Sequence, residues 1–195
     1  MSAATTSWFV AIGASGPLGL SDIGALLREL PASLNAVVMV VLHRPWDRVS
    51  HLREVLSRSS QMPVLVAIQD EHFEAGRAYI GEPAEHLTLA SKNFGLLVED
   101  PDRRYRNRTV DLRLMSLAEH AGARSIGVIL PGFLDDGSRG LAAIHHAGGL
   151  TMVIQPSGSP TLGMPENAIS YDGPIDVIGS PEEIARAITA KIPRS

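Results

Sequence analysis

Trp8-Phe9-Val10-Ala11-Ile12-Gly13-Ala14-Ser15-Gly16-Pro17-Leu18-Gly19 runs from an apolar block straight into a turn of small residues. Trp8 to Ile12 is too short for a helix and has the Val and Ile content of a strand buried on both faces. Beyond the turn, Ser21 to Leu30 sets Ile23, Leu26, Leu27 and Leu30 on one helical face. Strand, tight turn and amphipathic helix make the first half of a βαβ unit. The same rhythm recurs outward from it. Ala36–Leu42, Val64–Ile68, Ile126–Leu130 and Thr151–Ile154 read as further strands. Val49–Leu56, Asp111–His120 and Gly137–His146 read as helices, and a last one spans Pro181–Ile192 with Ser180 as N-cap and Glu182 and Glu183 in its first turn.

Strands buried on both faces and alternating with helices predict an α/β, doubly wound, mainly parallel sheet with helices on both faces. Asp70 to Glu99 breaks the rhythm. Gly76, Gly81 and Pro83 punctuate it, and Ala78-Tyr79-Ile80 and Leu87-Thr88-Leu89 look like antiparallel strands. A small antiparallel hairpin inserted beside the sheet, within Asp70–Glu99, is the expectation.

The length of 195 residues suits a single domain, 1–195, with residues 1–7 as an N-terminal tail. A chain of this size buries about 70% of the surface its unfolded form exposes, so it needs no staple. It has no cysteine, which excludes thiolate metal sites, cysteine nucleophiles and disulfides. A formal net charge of -4 argues against a nucleic-acid binder. Met1 to Ser7 lacks Lys and Arg and is no signal peptide. The longest apolar run, Ala36 to Leu42, is far below the roughly 20 residues of a membrane helix. A soluble, cytoplasmic domain without membrane insertion is expected.

Three residues stand just past strands: Ser15 after the first, His43 after the second, and Asp136 after Ile126–Leu130 through Pro131-Gly132-Phe133-Leu134. The carboxyl ends of parallel strands share one edge, where crevices form. A serine hydroxyl becomes a useful nucleophile when an imidazole takes its proton, and a carboxylate steadies that imidazole. Each residue also has a plainer role: Ser15 as a helix N-cap, His43 as a hydrogen-bonded structural side chain, Asp136 as a turn residue before Gly137. A rival reading uses the same loop. Gly13, Gly16 and Gly19 make a Gly-x-x-Gly-x-x-Gly pattern between strand and helix, and Arg44 stands where the 2′-phosphate of NADP could bind. The chain lacks a Tyr-x-x-x-Lys pair, because Pro83, Thr109 and Ile175 follow Tyr79, Tyr105 and Tyr171 at that spacing.

From Phe9 to Ile178 the order of motifs resembles the catalytic domain of the chemotaxis receptor methylesterases (CheB-type). The resemblance rests on Val10-Ala11-Ile12-Gly13-Ala14-Ser15, Leu42-His43-Arg44-Pro45, Ala75-Gly76-Arg77-Ala78-Tyr79-Ile80 with His86, and Val110-Asp111. It continues through Gly127-Val128-Ile129-Leu130-Pro131-Gly132-Phe133-Leu134-Asp135-Asp136-Gly137, His146-Ala147-Gly148-Gly149, Gly163-Met164-Pro165 and Ala168-Ile169. It implies a doubly wound sheet with an antiparallel hairpin near residues 74–89, and a serine esterase with Ser15 as nucleophile, His43 as general base and Asp136 as its carboxylate partner. Backbone amides near Gly16 and Phe133 would hold the oxyanion. The implied substrates are glutamate methyl esters, and for some members glutamines, on the cytoplasmic helices of methylated chemoreceptors; the family uses no cofactor and no metal.

Two departures are specific to this chain. Pro17 and Leu18 stand where the family usually has two adjacent glycines, and Leu134 replaces the middle glycine of its Gly-Met-Gly-Asn-Asp-Gly, with Phe133 in place of the methionine. The proline removes an N–H from that loop, and the leucine should stiffen or reshape the turn. No receiver domain is read in the chain, so activity is expected to be constitutive or controlled by a separate regulatory partner. The basic run Arg103, Arg104, Arg106 and Arg108 is either a solvated loop or a dock for an acidic receptor surface.

Overall fold

The structure, a computed structural model, describes residues 7–44, 50–83, 85–100, 108–156, 163–171 and 173–193. The strands are β1 (Trp8–Ser15), β2 (Ala36–His43), β3 (Val64–Val66), β4 (Arg77–Ile80), β5 (Glu85–Leu89), β6 (Gly95–Glu99), β7 (Ser125–Ile129), β8 (Leu150–Ile154) and β9 (Val177–Gly179). The helices are α1 (Gly16–Glu29), α2 (Leu52–Ser57), α3 (Thr109–Ala121), α4 (Ser138–His146), α5 (Met164–Ser170) and α6 (Pro181–Lys191). Seven strands pair in parallel in the order β3-β4-β2-β1-β7-β8-β9.

Alternation along β1 sorts the molecule into two layers. Val10, Ile12 and Ala14 face Ile23, Leu26 and Leu27 of α1 and Ile184 and Ile188 of α6. Phe9 and Ala11, with Val37, Met39 and Val41 of β2, face Val110, Leu114 and Leu117 of α3 and Leu141 and Ile144 of α4. Each fully buried Leu or Ile contributes about 1.5–3 kcal/mol of transfer free energy, more than any single helix propensity. The period of two then carries Ser15 onto the α3 face. Gly13 lies under α3, since a Cβ there would collide with the Val110 side chain.

Leaving β1, the chain enters α1 on one face; leaving β7, it enters α4 on the other. Because β1 and β7 are neighbours, the two exits diverge and a crevice opens between them, the topological switch point of the sheet. The residue 131–137 loop is tied back across it by Ser15 N–H to the Pro131 carbonyl, 2.9 Å, and by Leu130 N–H to the Gly13 carbonyl, 2.9 Å.

The expected sheet is present, and the hairpin falls within Asp70–Glu99, though further along the chain than the 74–89 that the resemblance implies. It pairs Glu85–Leu89 with Gly95–Glu99 through a 3-10 turn at Ser91–Asn93. Ala78-Tyr79-Ile80 is instead a parallel strand between β2 and β3, a correction with a clear cause. All three side chains are buried, as a central strand requires and an edge hairpin does not. Two short elements, α5 and β9, carry too little periodicity to be read in advance. The Val49 end of the second expected helix lies outside the described residues, within which it begins at Leu52.

The first turn of α1 packs so tightly on the 131–137 loop that a Cβ on Gly19 would stand 2.6 Å from the Pro131 carbonyl oxygen and 2.8 Å from Ala14 Cβ. Neither neighbour is a flexible side-chain end. Gly19→Ala is therefore expected to destabilise the fold by about 1–3 kcal/mol. Denaturant midpoints of the two proteins check this; an unchanged midpoint would contradict the packing.

Candidate active site

Ser15 ends β1 and His43 ends β2, directly opposite one another in the parallel register. Side chains at paired positions emerge on the same face, and neighbouring strands lie only about 4.8 Å apart. Ser15 occupies the N-cap position of α1, yet its side chain makes no capping hydrogen bond. Its Oγ instead accepts the Phe133 N–H at 3.0 Å. Gly16 follows in the left-handed region, φ 72°, which turns the chain sharply out of the strand. Its own N–H opens α1, so it has no intrahelical acceptor, and Pro17 fits the same first turn because its missing N–H would have had none either.

His43 Nε2 and Asp136 Oδ2 lie 2.8 Å apart; Asp136 is 1% exposed and the imidazole 25%. Thr109 Oγ1 sits beside the ring, 3.4 Å from Nδ1. The Asp136 carboxylate also accepts the Val110 N–H at 2.9 Å and the Asp111 N–H at 2.8 Å, two of the orphan amides that begin α3. Asp111 returns the arrangement: its Oδ1 accepts the Gly137 N–H at 3.0 Å and the Gly140 N–H at 2.8 Å, at the start of α4. Each carboxylate thus caps the helix that carries or follows the other. Negative charge at both positively polarised helix ends is favoured. Arg108 adds a contact to Asp111 Oδ2 at 3.3 Å.

Burial pushes the Asp111 carboxyl above its ordinary 3.8, the nearby Asp136 charge pushes the same way, and the Gly140 and Gly137 amides and Arg108 oppose it. On the same helix, Arg113 is 4% exposed and has no carboxylate partner among the described residues. Burial, with repulsion from Arg44, brings its guanidinium down to about 9. It donates to the Val40 carbonyl of β2 at 2.7 Å and the Leu87 carbonyl of β5 at 2.8 Å, tying α3 to the sheet and to the hairpin.

The chain's other features sort out around this cluster. Ser15, His43, Asp136, Gly16 and Phe133 come to one edge, while Thr109, Asp111 and Arg113 join them without having been singled out for these roles. Val110-Asp111 lies beside a helix start, and a carboxylate in a first turn is a visible capping signal; the partner it caps is not. The glycines of the rival dinucleotide pattern have packing roles: Gly13 under Val110, Gly19 against Pro131. Arg44 turns to the Gly81 carbonyl, 2.6 Å, and to Ser50 Oγ. Arg103, Arg104 and Arg106 lie outside the described residues.

A family model described as CheB methylesterase matches residues 10–188. The chain belongs to the CheB methylesterase family. It is 33% identical over 187 residues to a protein-glutamate methylesterase/protein-glutamine glutaminase of Salmonella typhimurium, covering 94% of this chain and 52% of that protein. A protein of the same description from Yersinia pestis is 34% identical over 172 residues, covering 87% of this chain and 49% of that one. The chain therefore spans about half the length of these CheB relatives. The crystal structure of the Thermotoga maritima CheB methylesterase catalytic domain superposes with a TM-score of 0.86 at 26% identity, covering 96% of this chain and all 100% of that one. The doubly wound sheet with its small antiparallel pair is thus a CheB catalytic-domain fold. Among the described residues, no helix is long and apolar enough to cross a membrane.

Asp111→Asn keeps an oxygen for the Gly137 and Gly140 amides and removes the charge. With a folded pKa raised above the unfolded one, Asp111 stabilises most below its ordinary 3.8, and that contribution is lost as pH rises through the window above it. The stability of Asp111→Asn relative to the parent should therefore improve across that window and then level off. Thermal melts at a series of pH values check it; a difference independent of pH would contradict the reading. Asp111→Ala, which leaves buried amides without an acceptor, should cost about 1–3 kcal/mol at any pH.

Proposed function

We propose that the chain is a serine esterase that hydrolyses glutamate methyl esters on protein substrates, with Ser15, His43 and Asp136 as its triad. The observation that carries the reading is the buried Asp136 carboxylate, 2.8 Å from His43 on the strand end opposite Ser15. Nε2 carries the proton shared with Asp136, which leaves the Nδ1 lone pair to act as the base. Among the described residues no hydrogen bond joins Ser15 Oγ to the ring, and the hydroxyl oxygen accepts the Phe133 amide. Rotation about the Ser15 side chain brings it to His43 when a substrate carbonyl takes over that amide.

Ser15 Oγ then attacks the ester carbon while His43 takes its proton. The carbonyl oxygen, now negative, is received by the Phe133 N–H and by the Gly16 N–H at the positive end of α1. Collapse expels methanol, which recovers the proton from the imidazolium. Water repeats the attack on the acyl-enzyme and returns the glutamate carboxylate and Ser15. An amide in place of the ester would release ammonia by the same steps, which accommodates the glutaminase activity in the relatives' names. The substrates we assign are methylated chemoreceptor helices in the cytoplasm, as the family relationship suggests.

Ser15→Ala should lower methanol release from a methylated receptor fragment by a factor on the order of 10⁶ while leaving the melting curve intact. Hydrolysis at the parent's rate would remove Ser15 from the mechanism.

A further inference from the structure

The residues that border Ser15 are unusually apolar for a surface. Phe133 is 72% exposed, Leu18 71% and Leu134 57%. Phe133 lies in the 131–137 loop and its own amide donates to Ser15 Oγ, while its ring lies over Gly16, where an added Cβ would come to 3.3 Å. Leu18 stands in the first turn of α1, just beyond Gly16. Leu134 is held at φ 68°, a conformation that leucine rarely adopts, and the Asn167 amide fastens its carbonyl at 2.8 Å. These side chains are not filling the core. Strain and exposed apolar surface persist together at the rim of a reactive group, which points to use rather than to packing.

We propose that Phe133, Leu134 and Leu18 are specificity-determining residues that select esters whose neighbouring side chains on the substrate protein are apolar. The inference rests on Ser15 being the nucleophile. A carbonyl carbon within bonding reach of Ser15 Oγ must displace or share the Phe133 amide 3.0 Å away, so the groups flanking that ester are forced against the Phe133 ring and its neighbours. A polar flank would lose water there without finding a hydrogen-bond partner among these three side chains, whereas an apolar flank would cover them. The occupant is thus the substrate itself, and its class is a glutamate methyl ester set among apolar residues.

The test compares two glutamate-methyl-ester peptides of the same length, one with leucines and one with serines beside the ester. The parent protein is expected to favour the leucine peptide in kcat/KM by about tenfold or more. Leu18→Ser, which leaves every backbone amide in place, and Phe133→Ser should each bring that ratio toward one, mainly through KM of the leucine peptide. Leu134→Gly should reduce the ratio while holding or raising Tm, because glycine accepts the left-handed conformation without strain. Equal hydrolysis of both peptides by the parent, or a ratio unmoved by all three substitutions, would overturn the selection and leave the esterase standing. Hydrolysis of neither peptide would instead strike the esterase reading, and the selection with it.

Discussion

The Asp136 carboxylate closes the first turn of α3 and holds His43 at the same time. A buried carboxylate without partners would be costly, and here every partner has a second task. The Val110 and Asp111 amides need an acceptor because they begin a helix, and the imidazole needs a fixed orientation to act as a base. Asp111 ties the knot from the other side by receiving the first amides of α4, so the loop bearing Asp136 is braced at both ends. The orientation of His43 and the capping of α3 are in this way one set of hydrogen bonds. Loss of one member should be felt in both stability and rate.

The two-layer sheet sets up this meeting. Strand alternation sends Ser15 and His43 toward α3, and the divergence of the chain after β1 and β7 opens the edge where they stand. That much was legible in the sequence, since it follows from apolar runs, strand-end positions and helical periodicity. The resemblance carried by Gly127 to Gly137 and by Leu42 to Pro45 singled out the same three residues. What sequence could not supply was pairing. Ala78-Tyr79-Ile80 has the composition of either a hairpin strand or a central one, and only its neighbours β2 and β3 distinguish the two. The reciprocal caps were hidden for a similar reason, because Asp111 and Asp136 bond to amides remote in the chain.

The substitutions around Ser15 also acquire a physical sense. Pro17 occupies a helix start, where a missing N–H costs little. Leu134 does not abolish the left-handed turn expected of a glycine; it adopts the turn and bears the strain, leaving a large side chain in solvent. Phe133 keeps its backbone amide on Ser15 Oγ while its ring widens the apolar border. The loop's hydrogen bond to Ser15 Oγ and its surface chemistry are therefore separable, the first belonging to the backbone and the second to the side chains.

The most direct measurement is covalent labelling of the folded protein with a fluorophosphonate, followed by mapping of the modified peptide and its rate of formation. One adduct is expected, on Ser15, and it should form much more slowly once His43 is replaced by alanine. An adduct confined to another serine, or a Ser15 adduct whose rate ignores the loss of His43, would contradict it.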